Sequence, residues 1–231
     1  MDGPTRYVQW INEHLGFNPR GAANSNALSE YIIDDLRNVS PKAIRALIDS
    51  GSLIPLKNAS VSTKITVRNI DLVLYEFEAL PVISVKLAVE HKTVMTAHGK
   101  ARKNRYGDII AYCNHMHNHR RESVVGATVV INTSEAYENP DFFARGLKRP
   151  KFKMDKVVRD TVKVFENIPL RESPDEPNDS PEALAVIVVN YDGINPATLV
   201  EVEAAPSAES PVHYNNFIMR LAQKYEDRFC Q

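Results

Sequence analysis

The chain has 231 residues, 43% hydrophobic and 25% charged, and its 28 basic and 29 acidic side chains give a formal net charge of −1. These figures exclude a mostly disordered chain, which lacks the apolar content to bury a core, and a generally basic coat for nucleic acid. They fit one domain over residues 1–231, with residues 1–50 as a possible helical subregion.

Residues 5–15 are predicted to be a short helix with Tyr7, Val8, Ile11 and Leu15 on one side. Ser25 or Asn26 can cap a second helix to about Arg37, where Leu28, Ile32 and Leu36 recur every four residues. Ser40-Pro41 opens a third, ending near Gly51. The period then changes to about two. Strands are predicted over 61–68 (VSTKITVR), 70–77 (IDLVLYEF) and 82–91 (VISVKLAVEH). Residues 98–117 read as helix, 124–132 as strand, 141–147 and 153–165 as helices, and 170–182 as an exposed Pro-rich loop. ALAVIVVNY, 183–191, is the most apolar strand and is expected at the centre of the sheet. Tyr214 to Phe229 closes the chain as an amphipathic helix. The order predicts an α/β or α+β fold, a mixed β-sheet flanked by helices.

The two cysteines, Cys113 and Cys230, match neither a zinc spacing nor a disulfide framework, so a reducing, cytoplasmic setting is expected. MDGPTRYVQW carries an early acid and no long apolar region, which predicts no secretory leader. No apolar run approaches the roughly 20 residues of a membrane span.

The chemistry is expected at LAVEHKTVM, 87–95. Glu90 and Lys92 are two apart in a strand and so face one side. If 70–77 and 82–91 form an antiparallel hairpin, Asp71 falls opposite 88–90. Two neighbouring carboxylates repel, and a divalent cation relieves this. Their hard oxygens suit Mg²⁺, with Mn²⁺ as a substitute, and the backbone carbonyl of His91 can face the same ion. Lys92 would position or activate water for phosphodiester hydrolysis. The His91 ring should face away and be packed or hydrogen-bonded.

Asp71, eighteen intervening residues and then Glu90-His91-Lys92 resembles the PD-(D/E)xK nuclease superfamily, which includes many restriction endonucleases and Holliday-junction resolvases. Asp71 matches the first acid, Glu90 the second and Lys92 the lysine, while Ile70 stands where the motif has proline. The resemblance implies a restriction endonuclease-like core in which a β-hairpin of a mixed sheet holds these groups. It further implies an additional acid on the preceding helix, for which Glu30 is the candidate, and products with 5′-phosphate and 3′-hydroxyl ends.

Lys100, Arg102, Lys103 and Arg105 follow the motif and are candidates for phosphate contact in nucleic acid. Lys148, Arg149, Lys151, Lys153 and Lys156 form a second basic segment that can line a groove or simply solubilise a surface. Cys113, His115, His117 and His119 alternate, but a helix end does not align alternating ligands, so a polar helix end is preferred to a metal site. The expectation is a Mg²⁺-dependent endodeoxyribonuclease acting on double-stranded DNA, possibly a type II restriction enzyme and a homodimer, with no membrane association. A resolvase, repair or defence nuclease of the same fold is the alternative enzyme. A non-catalytic nucleic-acid-binding or assembly protein is the alternative outside catalysis.

Overall fold

Helix α1 (Gly3–Glu13) starts where the Asp2 carboxylate accepts from Thr5 N at 3.0 Å, with Pro4 in the first turn. Helix α2 (Ala22–Val39) buries the predicted stripe of Leu28, Ile32 and Leu36. Ser40 Oγ accepts from Ile44 N at 3.1 Å, opening a π-helical turn at Pro41–Arg45 that runs into α3 (Ala46–Asp49). Gly51, at φ 77°, ends the run in a conformation that glycine adopts without a Cβ clash. The structure is a computed structural model and describes residues 2–19, 21–79, 82–137, 154–201 and 205–230, the side chains of 77–79, 82 and 83 excepted. The helix expected at 141–147, and Lys148, Arg149, Lys151 and Lys153, lie outside the described residues.

A six-stranded mixed sheet follows, its spatial order the same as its sequence order. Strands β1 (Ile54–Ser62), β2 (Val67–Ala79) and β3 (Val82–Val94) form an antiparallel meander. Helix α4 (His98–His119) then crosses over to β4 (Val124–Asn132), which is parallel to β3. Helix α5 (Met154–Glu166) precedes β5 (Ala183–Asn190), parallel to β4. The two-residue β6 (Thr198–Leu199) pairs antiparallel with β5, and α6 (Tyr214–Phe229) closes the chain.

Strand alternation sorts the core into two layers. Val125, Ala127, Val129 and Ile131 of β4 pack with Ile109, Tyr112, Cys113 and Met116 of α4 and with Val158, Val162 and Phe165 of α5. Val124 and Val130 face the other way, with α1, α2 and α6. The N-terminal helices therefore share a core with α6 and the sheet. Gly126 lets α6 lie close to β4, because a Cβ there would meet Leu221 and Phe217 at 3.0 and 3.1 Å. Among the described residues no helix is long and apolar enough to cross a membrane.

Three sequence expectations are corrected. The strand predicted over 61–68 is broken by a turn at 63–66, with 61–62 ending β1 and 67–68 opening β2: Thr63 Oγ1 donates to Thr66 O at 2.6 Å and accepts from Thr66 N at 3.1 Å. This hydroxyl-built turn is hidden in a β-branched run, while β1 itself carries Pro55 and a left-handed Asn58 (φ 51°) that obscure it. Strand β5 is not central: among the described residues only the two-residue β6 lies beyond it, and helices cover both its faces. The segment 170–182 is not simply an exposed loop, since Arg171 and Glu182 are 1% and 0% exposed.

Candidate functional site at the fork of β2 and β3

Strands β2 and β3 pair as far as Leu72 and Val89. Beyond that point β2 stays with β1 back to Val67, and β3 stays with β4 on to Val94. The two strands thus fork, and Asp71 and Glu90 are the first residues past the last pair. Asp71 fills the crotch: its Oδ2 accepts from His91 N at 2.7 Å, a side chain replacing the next rung of the ladder. The N–H and C=O of one strand residue point to the same edge, so the His91 carbonyl opens onto the fork as well.

A buried chain of hydrogen bonds secures Asp71 from the far side of the sheet. Ser29 Oγ, on α2, donates to Asp71 O at 3.2 Å and lies 2.9 Å from His91 Nε2, and His91 Nδ1 lies 2.8 Å from Thr128 Oγ1. The set is self-consistent when Nε2–H donates to Ser29 and Thr128 donates to Nδ1. Burial lowers the His91 pKa to about 4, which keeps the ring neutral. The expected packed, hydrogen-bonded histidine is what the fold contains.

Glu90 is 5% exposed and faces the α4 layer, as do Ala88 and Val94 on the same strand face. Its Oε1 receives a hydrogen bond from Lys92 Nζ and lies 3.7 Å from Arg68 Nη2. Its Oε2 is buried with no hydrogen-bond partner. Burial raises the Glu90 pKa; Lys92 and Arg68 work against the shift, and the Asp71 charge adds to it. The buried Tyr112 hydroxyl is likewise unpartnered, and its pKa is pushed well up by burial and then by the Glu90 and Asp71 charges. Arg68 lies over the Tyr112 ring, 5.9 Å from its centre, with Nη1 3.5 Å from His115 Nδ1.

The fold therefore brings Asp71, Glu90 and Lys92 together and adds Arg68, Tyr112 and, through backbone support, Ser29. Glu30 is not brought in: it pairs with Lys57 on the edge strand, and its side chain is 52% exposed. Neighbouring helix positions diverge by about 100° (3.6 residues per turn), so Ser29 faces the sheet and Glu30 does not. Lys100 and Lys103 are exposed, Arg102 is half-buried and Arg105 pairs with Asp108 at 2.7 Å. Their turn starts beside the carboxyl end of β4, where His98 Nε2 bonds Asn132 O at 2.7 Å.

The alternating Cys/His set disperses around α4. Cys113 is buried, His115 faces Arg68, and His117 bonds Asn178 O and Glu182 Oε2 at 2.9 and 3.0 Å. Glu182 is the centre of a second buried polar group, also holding Arg171 at 3.0 Å, Arg228 at 2.9 Å and Val125 N at 2.7 Å. This group ties the 171–182 segment and the end of α6 to the start of β4, and its arginines also bond the backbone carbonyls of Arg121, Ser123 and Pro174. A polar hollow of about 420 Å³ near Arg6, Arg37 and Arg45 lies on α1–α3, and its arginines are engaged by Asp34, Asp49 and Asn38.

The fork's donors fit a hard divalent cation. They are carboxylate oxygens and a backbone carbonyl, one carboxylate oxygen is buried without a partner, and the two acids act on each other. The set is small: among the described residues no group of three or more His, Cys, Asp or Glu gathers to hold an ion. No protein-family model, curated protein or solved structure matches the chain.

Proposed function

We propose that this protein is a Mg²⁺-dependent endonuclease hydrolysing phosphodiester bonds of double-stranded DNA. The observation that carries the reading is the meeting of Asp71, Glu90 and Lys92 where β2 and β3 part. Asp71, Glu90 and the His91 carbonyl would hold the cation, which when bound polarises the phosphoryl oxygens and acidifies water. Lys92 leaves Glu90 to hydrogen-bond and orient the attacking water. The water oxygen bonds phosphorus as the P–O3′ bond breaks; the water gives up a proton to solvent and the 3′-oxygen gains one. The products are a 5′-phosphate and a 3′-hydroxyl. His91 and Ser29 hold Asp71 in place throughout.

Lys100, Arg102 and Lys103 are proposed to contact the DNA backbone, and two copies of the chain to cut the two strands. A type II restriction enzyme fits this scheme, as does a resolvase, repair or defence nuclease using the same chemistry. A non-catalytic nucleic-acid-binding role is favoured by one observation: Glu90 is almost fully buried and already neutralised by Lys92.

The test is Mg²⁺- and Mn²⁺-dependent cleavage of circular and linear DNA by intact protein and by Lys92→Ala. Cleavage that disappears in a folded Lys92→Ala protein supports the scheme, and discrete bands support sequence recognition. Cleavage unchanged by the substitution sinks the site assignment, and no cleavage by intact protein favours the binding role.

A further inference from the structure

Lys92 and Arg68 share Glu90 unequally. Lys92 makes a direct hydrogen bond to Oε1, whereas Arg68 stands at 3.7 Å, beyond hydrogen-bond reach. The guanidinium rests over the Tyr112 ring and beside His115, a shelf that orients the group without engaging its donors strongly. It projects from β2 across the fork, and its side chain is 22% exposed where that of Glu90 is 6% exposed. Arg68 is thus the outer cation and Glu90 the inner anion.

The charges of the fork cancel: Asp71 and Glu90 stand against Lys92 and Arg68. A divalent cation entering alone meets two positive side chains. A phosphodiester entering alone meets two carboxylates. Each ligand removes the obstacle to the other. A phosphate draws the guanidinium outward, and Glu90, with one of its two neighbouring positive charges withdrawn, accepts a cation more readily. Arginine suits the task, since its planar donors match two phosphate oxygens at once.

We propose that Arg68 is a phosphate-binding residue of the fork, held against Glu90 until a phosphodiester and a divalent cation bind together. This rests on the proposed nuclease reading and deepens it, naming the residue that couples the two ligands.

Mn²⁺ binding is measured by loss of its free-ion electron paramagnetic resonance signal, with and without a short DNA duplex, for intact protein, Arg68→Met and Arg68→Lys. Intact protein is expected to bind Mn²⁺ tighter with duplex present, by about 5- to 150-fold, the usual span of such coupling. Arg68→Met should bind Mn²⁺ alone several-fold more tightly than intact protein and lose most of the coupling. Arg68→Lys should recover part of it. Thermal melting confirms folding, and Arg68→Gln replaces Arg68→Met if that variant does not fold. Coupling of full size in Arg68→Met, with cleavage retained, overturns the role of Arg68 and leaves the proposed chemistry standing. Absence of Mn²⁺ binding by intact protein, with and without duplex, overturns both.

Discussion

His91 grips Asp71 at two points. Its backbone N–H donates to the Asp71 carboxylate at 2.7 Å, and its ring reaches the Asp71 carbonyl through Ser29 by links of 2.9 and 3.2 Å. One residue thereby sets both the position and the tilt of the acid that lies across the fork from it.

Ser29→Ala cuts the second grip. It leaves the buried Nε2–H of His91 and the carbonyl of Asp71 short of a partner, which costs about 1–3 kcal/mol. Urea unfolding should show a lower midpoint at unchanged slope. Cleavage should fall although Ser29 touches no reacting atom. A variant as stable as intact protein would mean that the hydroxyl is not part of the support.

The neutral His91 ring predicts acid sensitivity. Its pKa is about 4 in the fold against an ordinary value of 6.5, so folding is favoured while the ring is uncharged. That contribution is complete above pH 6.5 and is lost as pH falls towards 4, amounting to about 3 kcal/mol. Unfolding free energies measured across this range should fall more steeply for intact protein than for His91→Gln. Equal slopes would count against a buried neutral ring.

Glu90→Gln should trade activity for stability. Burial raises the Glu90 pKa, so the fold disfavours its ionised form and stability declines as pH rises from the ordinary carboxylate range through the raised value. The neutral amide removes that decline. Thermal melting near neutral pH should show the variant more stable than intact protein, with the advantage shrinking in acid, and Mg²⁺-dependent cleavage should be absent. A less stable variant at neutral pH would show that the Lys92 and Arg68 contacts outweigh the burial of the charge.

Glu182→Ala should be the most destabilising of these changes. It strips Arg171, Arg228 and His117 of their shared carboxylate inside the protein, and breaking a buried pair from one side costs about 3–5 kcal/mol. Limited proteolysis should then cut within 172–181, a segment that Arg171 pins through Arg121 O and Pro174 O. Resistance to cleavage there would assign the anchoring to other contacts.

Much of the fold was legible where one periodicity dominated. Leu28, Ile32 and Leu36 marked a helix, and the apolar alternation through Val89 marked the strand that delivers Glu90 and Lys92. The approach of Asp71 to Glu90 also followed from hairpin counting, because that pairing stays antiparallel up to Leu72 and Val89. The turn at 63–66 was hidden because Thr63 builds it with a hydroxyl amid residues that favour strands. Ser29 carries no charge to mark it beside its acidic neighbour Glu30, although its place three before Ile32 puts it on the buried stripe. Arg68 gave no signal, since its partners come from β3 and α4 and meet it only through tertiary packing. Glu182 reads as the end of a loop in the sequence because Arg171, Arg228 and His117, which keep it inside, converge on it only through tertiary packing.

Strand β3 has further consequences for how this chain can change over generations. Ala88 and Val94 belong to the α4-side core and Leu87 and Val89 to the opposite one; Glu90 and Lys92 share the first parity, His91 the second. Gaining or losing a single residue within 87–89 would invert every later position, turning the acid towards α2 and the imidazole towards α4. Such a lineage would lose its packing and its chemistry in one event. Length variation should therefore accumulate in the connections, while this strand evolves by substitution alone.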